Sequence, residues 1–392
     1  MTLDLVLVGF GNVARRFASL LAEQQAILAR DFGVTTRIVG ITTRGHGQAY
    51  DARGLPAVLD SRAKAGHDVD RGPAEGGHDK RPTTADFRRD GLHVVSGFSG
   101  TVASSAPVAT PSTLAFLRGA LKQSAASARR GHLVVVETTT LDIVRGEPAT
   151  SHIRAALAGG AHVVTANKGP VAFAYRTLAR AADRADRLFL FEGAVMDGVP
   201  VFNLVRETLP AVTVMGFRGV VNSTTNYMLT EMEQGRTFDA ALKEMQARGV
   251  AEADASLDID GWDAAAKAAA LANVLLDARI TPHDVDRQGI SPATGRLAIA
   301  ARANGRRLKL VVSGAREGRR VDVRVAPEEL PAHDLLAGLE GQQNAIILRT
   351  DMLEEIAVVQ RSGSLTQTAY ALLSDLLNIS GARAARRSSR RR

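Results

Sequence analysis

The chain opens on an apolar run over residues 3–8, broken only by Asp4, and turns at once to Gly9-Phe10-Gly11-Asn12-Val13-Ala14. The next stretch, R-R-F-A-S-L-L-A-E-Q-Q-A-I-L, repeats its apolar positions at the three-and-four spacing of a helix face. Residues 37–42, 133–136 and 162–165 read as buried strands, and 151–159 as a helix ending in Gly159-Gly160. Strands alternating with helices predict a parallel sheet. From residue 188 the rhythm changes. Residues 189–191, 212–221, 306–313, 320–325, 345–348 and 356–360 are short strands with looser alternation, which suits a sheet with one exposed face. Residues 222–227 (N-S-T-T-N-Y) read as a polar turn before a helix, and 238–248 as another helix. From Trp262 the run W-D-A-A-A-K-A-A-A-L-A-N-V-L-L is strongly helix-forming, and 366–377 is an amphipathic closing helix. The expected fold is α/β: a doubly wound N-terminal domain, then an α+β domain with a mainly antiparallel sheet.

Composition changes this picture little. At 392 residues two domains are expected, and 45% hydrophobic residues can fill them. We divide the chain into 1–166, 167–345, a segment 346–380 returning to the first domain, and a tail from 381 to 392. No run of apolar residues is long enough for a membrane helix, and the N-terminus lacks the basic flank of a signal peptide. With no cysteine, disulfides and thiolate chemistry are excluded, and a cytoplasmic protein is expected. Residues 45–90 read as an exposed insertion, partly helical, whose His46, His67 and His78 are too irregularly spaced for a metal set. The net charge of +8 is concentrated in A-R-A-A-R-R-S-S-R-R-R at the end, six arginines without an acid. Such a tail could touch nucleic acid; a disordered, solvated end is the reading preferred.

Chemistry enters first at the glycines. Strand, glycine turn and helix together make a dinucleotide fingerprint of the Rossmann kind. Gly9 permits the tight turn, Gly11 the approach of a pyrophosphate, and Ala14 close helix packing, with Phe10, Asn12 and Val13 completing the turn. The second strand ends in Thr42-Thr43-Arg44 without an acid, so Arg44 favours the 2′-phosphate of NADP over NAD, unless it is only a solvated loop residue. Thr138 and Thr139, after the strand over 133–136, are placed for a cofactor ribose and nicotinamide, or else cap a helix. Lys168 follows the strand over 162–165 and would point into the same crevice. The densest chemistry lies in G-V-A-E-A-D-A-S-L-D-I-D-G-W-D-A-A-A-K, residues 249–267, where Glu252, Asp254, Asp258 and Asp260 precede Asp263 and Lys267. The last two are four apart on one helix face. A surface salt bridge is the ordinary fate of such a pair; a lysine held by a carboxylate for proton transfer is the other.

These segments resemble homoserine dehydrogenase over nearly the whole chain. The resemblance rests on G-F-G-N-V, V-V-T-A-N-K-G-P, E-G-A-V-x-x-G-V-P, N-S-T-T-N-Y and G-x-A-E-A-D-x-x-x-D-x-x-G-x-D-A-A-x-K. It implies NAD(P)H-dependent, reversible reduction of L-aspartate 4-semialdehyde to L-homoserine, in threonine, methionine and isoleucine biosynthesis, by a homodimer. Lys267 resembles the lysine that exchanges a proton with the substrate oxygen, Asp263 the carboxylate that orients that lysine or the substrate, and Lys168 a second active-site lysine near the nicotinamide and the substrate carboxylate. Glu252, Asp258 and Thr224 resemble substrate-binding residues, and Gly249 a glycine near the nicotinamide. Glu192, Val195, Asp197 and Val199 match a sodium or potassium loop that acts mostly through backbone carbonyls. Departures are Ser223 for glycine, Val250 for an aromatic residue, Asp197 for a small residue, and a degraded Ser362-Gly363-Ser364. The resemblance also implies a short form without a C-terminal regulatory domain. The rivals are another NADP-dependent amino-acid oxidoreductase on the same scaffold and a non-catalytic nucleotide-binding sensor.

Overall fold

The computed structural model describes residues 1–45, 47–55, 112–125, 132–247 and 254–389. Most of the 45–90 insertion, including His46, His67 and His78, lies outside the described residues.

The first sheet begins with β1 (Thr2–Val8), whose last six residues are buried on both faces, as a central parallel strand requires. Gly9 takes φ 87, a left-handed value that suits only glycine, and delivers the chain into α1 (Asn12–Phe32). Gly33 ends that helix at φ 63, and β2 (Thr35–Thr42) returns beside β1. Then follow β3 (Gln48–Tyr50), α2 (Thr113–Ala125), β4 (Leu133–Glu137), α3 (Ala149–Ala158), β5 (His162–Thr165), α4 (Lys168–Ala185) and β6 (Phe189–Leu190). Their order across the sheet is β3-β2-β1-β4-β5-β6, parallel except for β3. The order reverses between β1 and β4, so the carboxyl ends of those strands flank the crevice where doubly wound sheets bind ligands.

The second sheet has the order β12-β11-β7-β9-β10-β8, from β7 (Val214–Val220), β8 (Asp286–Arg287), β9 (Arg306–Glu317), β10 (Arg320–Pro331), β11 (Asn344–Thr350) and β12 (Glu355–Gln360). All neighbours are antiparallel but β8 and β10. Between its strands lie α5 (Ser223–Met232), α6 (Phe238–Ala247), α7 (Ser256–Ile259), α8 (Trp262–Leu275) and α9 (Pro292–Ala303). The small side chains of α8 let it lie close against both α4 and this sheet; every alanine from Ala264 to Ala272 is buried.

Two expectations are corrected. The stretch 222–227 is not a turn but the start of α5: the Asn222 side chain accepts from Thr225 N–H at 2.8 Å and caps the helix. The closing helix α10 (Leu365–Ser389) continues through most of the arginine-rich tail expected to be disordered, because alanine and arginine are good helix formers. Ala369, Leu372, Leu373, Leu376 and Ile379 of α10 are buried against Leu3, Leu5, Leu7 and Phe17 of the first sheet and α1.

Candidate active site

Lys168 is the first residue of α4, directly after β5, and Asn167 fixes that start by accepting from Gly169 N–H at 2.9 Å. Asp263 lies in the first turn of α8, behind Gly261 at φ 78. The two helices pack side by side, and their lysines share one carboxylate. Lys168 Nζ lies 2.9 Å from Asp263 Oδ1, and Lys267 Nζ 3.0 Å from Oδ2. The three side chains are 13–20% exposed, so the surface salt bridge is excluded in favour of a crevice. Lys267 also donates to the Val221 carbonyl at 2.6 Å. Asp263 was expected to orient Lys267 or the substrate; it holds both lysines.

Asn222, which sequence reasoning missed as a site residue, joins the cluster. Its side-chain N–H group donates to Asp258 Oδ1 at 2.7 Å and to Asp263 Oδ2 at 2.8 Å. Thr224 bonds the same Asp258. The signal was present in the sequence: an asparagine directly before S-T-T is an N-cap, which sets the first turn of α5 facing the acids.

The charges are strongly biased. Burial alone would push the Asp263 carboxyl up, but Lys168 and Lys267 hold it well below the usual carboxylate range. Burial would lower the Lys168 ammonium; Asp263 outweighs it, with help from Asp258 and Asp197, and holds the lysine above its ordinary value. Asp258 is pushed up, by burial first and by Asp263 next, with Asn222, Lys267 and Thr224 pulling the other way.

The glycine turn stands at the carboxyl end of β1, on the same edge of the parallel sheet as the end of β5 that leads to Lys168. A Cβ on Gly9 would lie 2.9 Å from the Thr138 main chain, so glycine is required there twice over, by φ and by space. At Gly11, the N-cap of α1, a Cβ would meet nothing within 4 Å, and the helix start carries neither a side-chain cap nor an acid in its first turn. That leaves N–H groups suited to an anion, so the turn fits a dinucleotide. Phe10 and Val13 are half-buried beside it and Asn12 is exposed. Arg44 stands exposed just past β2. Thr138 and Thr139 do border the turn, but their hydroxyls are turned inward: Thr138 donates to the Gly9 carbonyl at 3.2 Å, and Thr139 to Glu137.

Glu192 and Asp197 lie beyond β6. The Glu192 carboxylate accepts from the N–H groups of Val201 at 2.6 Å, Phe202 at 3.1 Å and Asn203. Asp197, at φ 48, accepts from Gln360 at 2.8 Å and Thr368 at 3.0 Å. Val195 is buried and Val199 half-buried in the same loop. Both carboxylates are thus taken by protein donors, and among the described residues no three acids or histidines gather as a metal site. Gly249, Val250 and Glu252 lie outside the described residues.

A glycine turn fit for a dinucleotide, with an ammonium pair on one carboxylate where the chain leaves the same sheet edge, marks out the NAD(P)-dependent oxidoreductases as the class. The comparisons make this particular. A family model described as homoserine dehydrogenase matches residues 200–377. The NAD(+)-dependent homoserine dehydrogenase of Pseudomonas canavaninivorans is 38% identical over 247 residues, covering 63% of this chain and 70% of that one. The homoserine dehydrogenase of Methanocaldococcus jannaschii is also 38% identical, over 63% and 72%. A putative homoserine dehydrogenase from Archaeoglobus fulgidus superposes with TM-score 0.74 at 26% identity, over 96% of this chain and 99% of that one. A hyperthermophilic archaeal homoserine dehydrogenase mutant in complex with NADPH does so with TM-score 0.70 at 25% identity, over 97% and 98%. The chain belongs to the homoserine dehydrogenase family. It is an enzyme that uses a nicotinamide cofactor on a small-molecule substrate. Among the described residues, no helix is long and apolar enough to cross a membrane.

Proposed function

We propose that this chain interconverts L-aspartate 4-semialdehyde and L-homoserine with Lys267, Lys168 and Asp263 at the reacting carbonyl, and prefers NADPH. The observation that carries the assignment of residues is the single carboxylate between two ammoniums in a half-buried crevice. Bound nicotinamide supplies the hydride. Lys267 stands four residues from Asp263 and gives a proton to the forming alkoxide; in the oxidative direction it accepts one from the homoserine hydroxyl. Lys168, held as an ammonium, adds fixed positive charge where negative charge develops. Asp258, with Thr224 and Glu252, receives the substrate's amino group, and a substrate ammonium would offset the like charge of Asp263. Gly249 lies beside the nicotinamide in this reading. Thr138 and Thr139 border the cofactor through main chain and hydroxyl oxygen, their protons being spent inside the protein.

NADPH preference rests on Arg44 and the absence of an acid at the end of β2. It is to be weighed against the NAD(+)-dependent relative; rates with NADP and NAD at equal concentration decide it. A sodium or potassium ion would be held by the main-chain carbonyls of Glu192, Val195, Asp197 and Val199, oxygen donors suited to a hard cation, and would supply fixed charge there. Exchange of both ions for choline tests that. The threonine, methionine and isoleucine pathways, a cytoplasmic location and a homodimer complete the proposal.

Replacing Lys267 with alanine is expected to lower kcat by roughly 10² to 10⁴ with NADPH binding intact. Near-normal turnover would remove Lys267 from the proton-transfer step.

A further inference from the structure

Glu137 ends β4 in the middle of the first sheet, with its side chain fully buried. Nothing in the reaction as proposed uses it. A carboxylate in such a place is costly unless donors surround it. Its Oε1 accepts from Thr139 N–H at 3.0 Å and from the Thr139 hydroxyl. Its Oε2 lies 3.1 Å from the Thr165 hydroxyl, which also reaches the Glu137 carbonyl at 2.8 Å. His152, equally buried, brings Nδ1 no closer than 3.9 Å to Oε1, too far for a hydrogen bond, and that nitrogen has no partner.

The bonds continue into a ring. Asn167 N–H donates to Thr165 Oγ1 at 3.0 Å, and the Asn167 side chain donates to the Thr139 carbonyl at 2.9 Å. The same Asn167 caps α4, whose first residue is Lys168. On its other side the ring meets the glycine turn, since Thr138, between Glu137 and Thr139, donates to the Gly9 carbonyl. One buried carboxylate therefore ties the loop after β4 to the loop after β5. The glycine turn meets the first of these loops, and Lys168 starts in the second.

We infer that Glu137 is a positioning residue for the reaction: it sets the main chain that carries Lys168 toward Asp263 and fixes Thr138 and Thr139 against the glycine turn. The inference rests on the role proposed for Lys168. A glutamine at this position keeps the size, loses the charge, and must turn an amide donor toward Thr139 N–H or compete for the Thr165 hydroxyl. Within an unchanged fold, the two loops then lose their common anchor.

The test is a double-mutant cycle on kcat/KM for L-homoserine with Glu137→Gln and Lys168→Ala. We expect Glu137→Gln alone to lose about tenfold or more, since small misplacements near reacting groups cost that much. The double variant should lie within about threefold of the worse single variant, because Lys168 is already misplaced. Losses that multiply would overturn the inference, because a purely structural buried acid lowers activity independently of Lys168. If Glu137→Gln does not fold, Thr139→Val, which removes one donor from the ring, replaces it in the same cycle with the same criterion. A Lys168→Ala enzyme of full activity would overturn the role proposed for Lys168 itself and this inference with it. Multiplying losses with an impaired Lys168→Ala enzyme would overturn the inference alone.

Discussion

A methyl group on Gly11 would touch no protein atom, yet it would stand where a pyrophosphate must approach. Gly11→Ala is therefore expected to melt like the parent protein while raising the KM for the cofactor about tenfold or more; an unchanged KM would remove the phosphates from that turn. Asp263 gives a second prediction. Its folded-state pKa is held below the unfolded value of about 3.9, so its ion pairs stabilise the protein above that pH and lose their effect as pH falls through the folded value. The stability difference between parent and Asp263→Asn should be constant above about pH 5 and shrink below about pH 4, as urea unfolding at several pH values would show. At this scale much was readable. Spacing alone set Asp263 and Lys267 on one face, and the glycines announced their turn. The pairing of Lys168 with Asp263 was not readable from spacing. Nor were the roles of Asn222 and Glu137, because those contacts join residues far apart in sequence that only packing brings together.

Helix α8 depends on its alanines: a larger side chain has nowhere to go between α4 and the second sheet. Ala269→Leu is expected to cost about 1–3 kcal/mol in stability. It should lower kcat as well, by moving Asp263 from Lys168; denaturation and turnover of one preparation check both. Helix α10 carries a titratable anchor. Asp375, fully buried, accepts from Glu192 N–H at 2.9 Å and Asn203 at 3.2 Å, yet burial, and Glu192 after it, push its carboxyl up to about 7. A raised folded-state pKa stabilises the fold at low pH and loses that effect as pH rises from about 4 through about 7. The melting temperature of the parent relative to Asp375→Asn should fall from pH 5 to pH 7 and level off above; a flat difference would count against the shift. Element type was legible wherever apolar periodicity was clear, as in β5, predicted over the residues it occupies. It failed at α5, whose first turn buries Thr224 toward Asp258 and Asn226 against the Gly341 and Gln343 carbonyls, so that a core face read as polar. Strands β9 and β10 run beyond their apolar centres into charged residues, because each completes the other's ladder, a pairing no single segment declares.

The molecule as a whole divides its labour between two sheets. The glycine turn and Lys168 belong to elements of the first. Asp263, Lys267 and Thr224 stand on helices packed with the second, and Asp258 on α7 beside those helices. The arginines at the end have no role in the reaction proposed. Removing residues 383–392 should leave kcat unchanged, and any salt-dependent retention on DNA should disappear with them. The two-part organisation was legible from the change of rhythm at residue 188. The segment 346–380 was expected to return to the first domain; which residues α10 meets there, among them Leu3, Leu5, Leu7 and Phe17, no pattern declared.

That one carboxylate grips a lysine from each half has a kinetic side. If the halves swing apart to admit substrate, Lys168 leaves Asp263 while Lys267, on the same helix as Asp263, stays. The parted enzyme would then carry a lone internal ion pair and lack its second cation. In that event hydride transfer would wait until Lys168 met Asp263 again.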